Sequence, residues 1–429
     1  MRSANLFPAR RTYLVVLFLL AFLLRFGVVI GLRDIHRFHG RSPAGADAVE
    51  YNAIALNLAS GHGYAVTPGE PTSFRAPGLP LLLGSLYSIS YENYPLAYMV
   101  LIVAGALTCL FTYCAARELL SEGWARIAGL LTAVYLPHIY FSSIFMSEVL
   151  FALCVGLGLW LLLVYLRNPS VWLLAGAGLC LGYAALCRPI GLLFPVFLAP
   201  ALIVSRGRGN GLRSAWPNTA RLVRGTVPLA LAFAAVILPW TIRNYEVHHR
   251  LVLIATNGGS TFYGANNDIT LHHRPDMGSW VSTVDLPGRK EIDATPTEYL
   301  HDQMEWKLGK QWVYSHLVDL PLTTVYKIAR FWLPDWSSAN RKFVLMQIAG
   351  YTPVGILILL GLFISLRPIQ KALAPGWLVV HGILLANLLS SVVFYGCARF
   401  RDSTTPVLMI YATLAVERAA AWWARRASV

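Results

Sequence analysis

Long apolar runs, repeated along the whole chain, restrict the possible folds more than any other feature of this sequence. A helix needs about 20 apolar residues, within a range of about 17–25, to cross the hydrocarbon core of a bilayer. Several of the runs reach that length. The sequence therefore predicts an all-α polytopic membrane protein with about ten transmembrane helices. The runs lie near residues 13–31, 95–116, 124–141, 147–166, 171–186, 189–205, 225–241, 344–366, 376–396 and 404–422.

The composition excludes several other classes of protein. With 56% hydrophobic and 13% charged residues, the chain has too little charge to cover the surface of a soluble protein of its size. Its six cysteines lie in or beside apolar runs and form no CxxC pair, which indicates packing residues. The first run follows arginines, as in a signal peptide, but it is long and lacks a small-x-small cleavage site. We expect it to be an uncleaved first span.

The distribution of charge predicts the orientation in the membrane. With the N-terminus in the cytoplasm, the cytoplasmic segments hold 16 Lys and Arg residues against three acids. The loop at 206–224 alone carries five arginines and no acid. Because basic residues are enriched in cytoplasmic loops, both termini are predicted to be cytoplasmic. The net charge of +14 is then explained by topology, and no nucleic-acid partner is expected.

The same threading places two segments on the outer face. The stretch "PGLPLLLGSLYSISYENYP" is short for a span and broken by proline and glycine, so we expect an interfacial or re-entrant helix there. The predicted modules are an N-terminal transmembrane module at 1–242 that includes the first outer loop at 33–95, an outer-face insert at 243–342, and C-terminal transmembrane helices at 343–429. In the insert, Thr295 or Thr297 is a candidate start of a helix.

Charged residues at the outer ends of the spans are the candidate functional residues. A charge against the hydrocarbon costs several kcal/mol unless it is paired or serves a site, so a shared polar cavity that opens outward is predicted. Single arginines of this kind also occur as snorkelling residues, and a carboxylate at a helix start also occurs as a cap. The candidates are Arg25, Asp47, Glu50, Arg75, Glu148, Arg188, Arg243, Arg399 and Arg401.

Carboxylates and arginines at the water–lipid boundary permit general-base catalysis and phosphate binding. A carboxylate at the water–lipid boundary can act as general base toward a hydroxyl. Arginines beside it can bind a phosphate through bidentate hydrogen bonds and stabilise the charge on a departing phosphate. The combination fits a lipid phosphate whose hydrocarbon tail stays in the bilayer.

Several segments, taken in order, resemble the GT-C-fold glycosyltransferases. The segment "DAVEY" at Asp47–Tyr51 followed by "FRAPGLPLLLG" resembles the first outer loop of bacterial relatives of protein O-mannosyltransferases and lipid A aminoarabinose transferases. "LPHIYFSSIFMSEVLF" resembles their second outer loop. "LCRPIGLLFP", "LPWTIRNYEVHHRLVLIATNGGSTFYGANND" and "ARFRDSTTPVLMIYA" resemble later segments, so the likeness covers most of the chain.

The resemblance implies a GT-C bundle and an inverting transfer of one hexose or pentose from a polyprenyl-phosphate donor to a hydroxyl. It implies Asp47 as base, with Glu148 as the second acidic position. It also implies Arg75, and Arg399 or Arg401, at the donor phosphate. Arg188 and Arg243 are further candidates for that contact. Glu50 and Tyr51 are candidate substrate contacts, and Glu50 could equally be a solvated residue. Where the family has an apolar residue after "ARFR", this chain has Asp402, which would neutralise Arg401 and leave Arg399 as the better phosphate contact.

The glycine-rich segment of the insert is a candidate substrate contact. Tyr263 and Asn266 suit stacking and hydrogen bonding with a sugar, or a tight turn. The adjacent histidine pairs His248-His249 and His272-His273 have no metal-ligand spacing, so no metal site is expected and no cofactor is required.

Alternative functions remain open on the sequence alone. A transporter or flippase of a lipid-linked sugar should show charges on both faces and broken segments at mid-membrane, whereas here they cluster on one face. A non-catalytic assembly factor would not need convergent carboxylates and arginines. A ligase with a diphosphate-linked donor would place more than two arginines at the phosphate. We expect an enzyme of the inner (plasma) membrane with its site on the outer face, acting on a lipid, an envelope glycan or a protein.

Overall fold

The computed structural model describes residues 9–31, 46–205, 219–335 and 341–427. Within these ranges the regular structure is helical, apart from one isolated bridge between Ala65 and Pro71. Predictions on residues 33–45 of the first outer loop and on most of the arginine-rich loop, at 206–218, lie outside the described residues.

The helices are labelled in chain order. Those of the first half are α1 (Arg10–Gly31), α2 (Ala46–Ala59), α3 (Gly78–Ile89), α4 (Tyr94–Arg117), α5 (Glu122–Val134), α6 (Leu136–Phe141), α7 (Glu148–Arg167), α8 (Val171–Cys187), α9 (Phe194–Ser205) and α10 (Thr219–His248). Those of the second half are α11 (Gly258–Ala265), α12 (Asp268–His272), α13 (Arg289–Asp293), α14 (Glu298–Ser315), α15 (Leu320–Trp332), α16 (Arg341–Met346), α17 (Thr352–Ser365), α18 (Ile369–Ala372), α19 (Pro375–Val393), α20 (Ala398–Asp402) and α21 (Thr405–Arg426).

Six helical stretches of the described chain are long and apolar enough to cross a membrane, which makes this a multi-pass membrane protein. The remaining predicted spans correspond to shorter or interrupted helices, so the count of about ten stays a prediction. The run at 124–141, for example, is divided between α5 and α6 at Tyr135. The six stretches are α1, α4, α7, Thr226–His248 in α10, Val344–Ser365 and α19.

Helix α3 has 12 residues. At 1.5 Å per residue it is about 18 Å long, well short of the roughly 30 Å hydrocarbon core. This length agrees with a helix that does not span, and its interfacial placement stays a prediction.

Helix α21 lies at the centre of the bundle. Its residues 405–415 are all buried, and it packs against α17, α5, α4 and α7. Gly361 of α17 faces the carbonyl of Tyr411 so closely that a Cβ there would overlap it. The two helices therefore cross with no side chain between them.

The segment between α10 and the span at 344–365 forms a small helical unit with its own apolar cluster. Tyr263, Leu286 and Ile292 are its buried members, packed by side chains from α12 and α14. The predicted helix start is confirmed at Thr297, whose side chain accepts a hydrogen bond from the Leu300 N–H. The module boundaries at 242 and 342 stay predictions.

Candidate active site

Five helix ends and connections meet at one end of the bundle and carry the predicted charged residues. Asp47 lies in the first turn of α2, and Arg75 lies between α2 and α3. Glu148 is the first residue of α7, Arg188 directly follows α8, and Arg399 lies in α20. Helices α7 and α8 pack as an antiparallel pair, so the start of α7 lies beside the end of α8. Glu148 and Arg188 therefore lie on the same side of the bundle.

The Asp47 carboxylate lies between two arginines. One oxygen is 2.9 Å from Arg75 Nη1, and the other is 3.2 Å from both Nη1 and Nη2 of Arg399. Burial disfavours its charged form, but the guanidinium groups of Arg399 and Arg75 outweigh burial and lower the pKa of Asp47 below its ordinary value. Asp47 is thus ionised and held by two cations.

Glu50 and Tyr51 extend this contact along α2. Glu50 Oε2 accepts from Arg75 Nε at 2.6 Å, so the two acids of the first outer loop share one arginine. Burial raises the pKa of Tyr51 to about 12, with the negative charge of Asp47 adding to the effect. Tyr51 therefore keeps its proton and remains a hydrogen-bond donor at neutral pH.

Glu148 shares Arg399 with Asp47 and also contacts Arg188. Its Oε1 accepts from Arg188 Nη1 at 2.7 Å and from Arg399 Nε at 2.8 Å. The position at the start of α7 also favours a negative charge, so the capping and the site interpretations both apply. Its Oε2 is buried and has no hydrogen-bond partner. Arg188 in turn lies over the ring of Phe400.

Exposure divides the cluster into an accessible side and a floor. The side chains of Asp47 and Arg399 are 26% and 27% exposed, and that of Arg75 is 14% exposed. Glu148 is 0% and Arg188 is 9% exposed. A molecule that reaches the cluster therefore meets Asp47, Arg75 and Arg399 first, and Arg399 links the two levels.

Arg243 lies beside the cluster and braces the first outer loop from α10. Its Nη1 donates to the Thr72 carbonyl at 2.7 Å and to Ser73 Oγ at 2.8 Å, and its Nη2 donates to the Tyr64 carbonyl at 3.1 Å. Tyr64 in turn donates to the Arg75 carbonyl at 2.8 Å. With its guanidinium committed to Tyr64, Thr72 and Ser73, Arg243 positions the loop that carries Arg75 and makes no contact with Asp47.

Glu298, at the start of α14, fastens the insert to the same loop and was missed in the sequence. Its carboxylate accepts from the Ser73 N–H at 2.8 Å and from the hydroxyls of Thr72 and Thr256. We call these contacts the Glu298 latch. The helix-start pattern located Glu298, but no sequence signal shows that its side chain reaches back over 200 residues in the chain.

Arg401 is fully buried and takes no part in the cluster. It pairs with Asp402 at 2.9 Å and donates to the carbonyls of Phe331 and Leu333 at 3.1 Å. Asp402 therefore pairs with Arg401 in the structure, as the sequence suggested. This arginine anchors α20 to the end of α15, which leaves Arg399 as the arginine of α20 that contacts the carboxylates.

Arg25 is also fully buried and lies apart from the cluster. Its guanidinium donates to the carbonyls of Ala21 and Ala133 at 2.9 and 3.3 Å and contacts the Cys109 sulfur at 3.6 Å. These acceptors tie α1 to α4 and α5.

Tyr263 and Asn266 are used inside the insert. Tyr263 donates to the Pro287 carbonyl at 2.6 Å, and Asn266 donates to the Phe262 carbonyl at 2.8 Å. Asn266 also accepts from Lys327 Nζ at 2.8 Å. Both residues are buried and neither contacts the cluster. Among the described residues, no group of three His, Cys, Asp or Glu side chains is placed to hold a metal ion.

The arrangement can bind an anion and take up a proton at adjacent positions. Two partly exposed guanidinium groups, those of Arg75 and Arg399, flank the Asp47 carboxylate, which is itself 26% exposed. A phosphate that engages Arg75 and Arg399 would lie next to Asp47 and weaken the hold of both arginines on it.

Comparisons with known proteins agree with the resemblance stated from the sequence. The family model described as dolichyl-phosphate-mannose-protein mannosyltransferase matches residues 74–240, a range that includes Arg75, Glu148 and Arg188. No curated protein matches the chain.

Two solved archaeal structures share the fold. The Archaeoglobus fulgidus oligosaccharyltransferase in its apo form is 13% identical with a TM-score of 0.56, over 95% of this chain and 50% of that one. The same organism's AglB with an inhibitory peptide and dolichol-phosphate is 14% identical with a TM-score of 0.51, over 97% and 51%. The fold is therefore of the GT-C type, and the chain spans about half the length of these proteins. ArnT from Cupriavidus metallidurans bound to undecaprenyl phosphate matches with 13% identity and a TM-score of 0.44, over 96% and 79%.

Proposed function

We propose that this protein is an inverting glycosyltransferase that moves a single sugar from a polyprenyl-phosphate donor to an acceptor hydroxyl. The observation that carries the proposal is the Asp47 carboxylate held between Arg75 and Arg399 on the accessible side of the cluster. The excess of basic residues in the segments assigned to the cytoplasm supports an outer-face position for this end of the bundle.

The donor phosphate would lie on Arg75 and Arg399. Both guanidinium groups are accessible, and a planar fork suits bidentate contact with phosphate. Arg188 is committed to the buried Glu148 and is 9% exposed, so two arginines rather than three are open to a ligand. That number supports a monophosphate-linked donor over a diphosphate-linked one. The bound dolichol-phosphate in the AglB complex is a ligand of the same chemical class.

Donor binding would also activate the base. In the empty site the pKa of Asp47 is lowered by Arg399 and Arg75, which makes it a weak proton acceptor. When the two guanidinium groups turn their hydrogen bonds to a phosphate, that stabilisation of the carboxylate falls and its pKa rises. Proton transfer is then coupled to the presence of the donor, which suppresses reaction in the empty enzyme.

The transfer step balances as a single displacement. The acceptor oxygen forms a bond to the anomeric carbon on the face opposite the phosphate, and its proton passes to Asp47. The bond from the anomeric carbon to the phosphate oxygen breaks, and its electron pair stays on the phosphate. The carrier phosphate leaves as a dianion stabilised by Arg75 and Arg399, and Asp47 later returns the proton to water.

Replacement of Asp47 by Asn tests the proposal. The amide keeps the shape of the side chain but removes the proton acceptor, so transfer should be lost while the protein folds and binds carrier phosphate. Cells without the protein should accumulate a polyprenyl-phosphate sugar that lipid mass spectrometry detects. Wild-type protein should clear it, and Asp47→Asn should not.

A matched control is Asp293→Asn, which removes an exposed carboxylate of α13 far from the cluster. It should clear the donor as wild type does. Purified Asp47→Asn should still bind undecaprenyl phosphate. Clearance of the donor by Asp47→Asn would refute the role of Asp47, and absence of any accumulated donor in cells without the protein would refute the transferase itself.

A further inference from the structure

An exposed apolar surface lies at the end of the insert opposite the Glu298 latch. We call residues 311–325 the tip hairpin; they comprise the last turn of α14, the turn that follows, and the start of α15. Val318 is 91% exposed, and Tyr314 is 73% exposed. The further exposed apolar side chains of the tip hairpin are Leu317, Leu322 and Val325.

The charge along α14 falls off toward this end. Between positions 298 and 310 the helix carries three acids and two lysines, Glu298, Asp302, Glu305, Lys307 and Lys310. The tip hairpin holds one formally charged side chain, Asp319. The tip hairpin is therefore poorer in charge than the first part of α14, although Asp319 lies at its turn.

The opposite face of α15 shows which way the apolar side chains point. Thr323, Lys327 and Phe331 follow each other at intervals of four residues and are buried, where α15 packs against α19 and α20. Leu322 and Val325 lie off that face and are exposed. They therefore point away from the protein, at a position where α15 is backed by a membrane-spanning helix.

The surface beside them is a lipid-facing one. Helix α19 spans the membrane and exposes Leu385, Leu389 and Val393, again at intervals of four residues, so these side chains form one stripe. The stripe ends at Val393, the last residue of α19, whose carbonyl accepts from Asn266 of the insert at 3.4 Å. The insert thus touches the outer end of the lipid-facing stripe.

We propose that the tip hairpin is a monolayer anchor, which lies in the outer interface of the bilayer and docks on lipid. Its exposed apolar side chains lie at the start of α15, a helix that packs against the membrane-spanning α19, and their burial in lipid would be favourable. Trp312 and Tyr314 have the side chains that concentrate at membrane interfaces. Lys307 and Lys310, exposed just before the hairpin, are placed for lipid phosphates.

Nitroxide accessibility measures the anchor directly. The spin label is attached at Val318→Cys in the full-length protein in lipid nanodiscs, with the six native cysteines replaced by alanine. Collision with oxygen, which concentrates in lipid, is compared with collision with a water-soluble nickel chelate. Lys290→Cys in α13, exposed on the polar side of the same insert, is the matched control.

The expected result is a several-fold higher ratio of oxygen to nickel collisions at position 318 than at position 290. A ratio at 318 equal to that at 290 would show the hairpin in water and overturn the proposal. Low access to both reagents would show a protein partner on the hairpin, and would overturn it equally. Neither reading depends on glycosyltransferase activity, so the result is independent of the proposed function.

Discussion

The insert should lose stability as the pH rises, because it buries a carboxyl group. Glu305 is 2% exposed, and its Oε1 accepts from Thr283 at 2.7 Å. Burial raises the pKa of Glu305 from 4.5 to about 7, and the negative charge of Asp302 adds to the rise. His301 lies 3.8 Å away, at the longer limit of an ion pair. The perturbation that tests this is Glu305→Gln, which keeps size and hydrogen bonding but cannot ionise.

The sign and the size follow from proton linkage. A carboxyl with a folded pKa of about 7 and an unfolded pKa near 4.5 binds more protons in the folded insert between these values. The free energy of unfolding therefore falls as the pH rises through this window and is constant above it. At about 1.4 kcal/mol per pH unit, the wild-type insert loses about 3 kcal/mol between pH 4.5 and 8. The Gln variant keeps that stability.

Hydrogen exchange of the amides of α14, measured by mass spectrometry from pH 5 to 8, reports the opening of the insert. Protection factors, which correct for the intrinsic pH dependence of exchange, should be about 100-fold higher in Glu305→Gln than in wild type at pH 8, since about 1.4 kcal/mol is tenfold. At pH 5, half a unit above the unfolded pKa, the difference should shrink to about fourfold. Glu291→Gln, an exposed glutamate of α13, should follow wild type. Parallel curves for wild type and Glu305→Gln would refute the reasoning.

Two further substitutions test how the site is held. Arg399→Lys replaces a fork that contacts Asp47 and Glu148 with a single ammonium, so donor clearance should fall about 10–100-fold, as expected for the loss of about 1.5–3 kcal/mol of charged hydrogen bonding. The exposed Arg250→Lys should be neutral, and full activity of Arg399→Lys would contradict the shared contact. Glu298→Ala leaves the Ser73 N–H and two hydroxyls without their acceptor. It should weaken undecaprenyl phosphate binding about tenfold, with partial rescue by Glu298→Gln; unchanged binding would exclude a positioning role.

The meeting of the outer charges was predictable because it follows from topology. Glu148 and Arg399 adjoin ends of apolar runs, and Asp47 and Arg75 lie in the loop between the first two runs. The threading by charge assigns all four residues to the same side of the membrane. Side chains that cannot remain alone in lipid gather where the helix ends meet. In a membrane protein, the side of the membrane on which each loop lies therefore already predicts which charged residues lie close together.

The direction of each side chain could not be predicted in the same way. Arg399 and Arg401 are two residues apart on α20, and at 3.6 residues per turn they point to nearly opposite sides. One therefore reaches the carboxylates, and the other is buried against Asp402. Arg243 likewise lies near the cluster but donates to backbone carbonyls. Such choices depend on which acceptors the neighbouring loop offers, and span patterns carry no information about them.

The Glu298 latch has a consequence for how substrates enter. It bonds the insert to Thr72 and Ser73, two to three residues before Arg75, while Arg243 holds the same residues from the membrane side. Any movement of the insert would therefore pull on the loop that carries Arg75. Under the proposed function, entry of an acceptor past the insert and alignment of the donor phosphate would be coupled through this one loop.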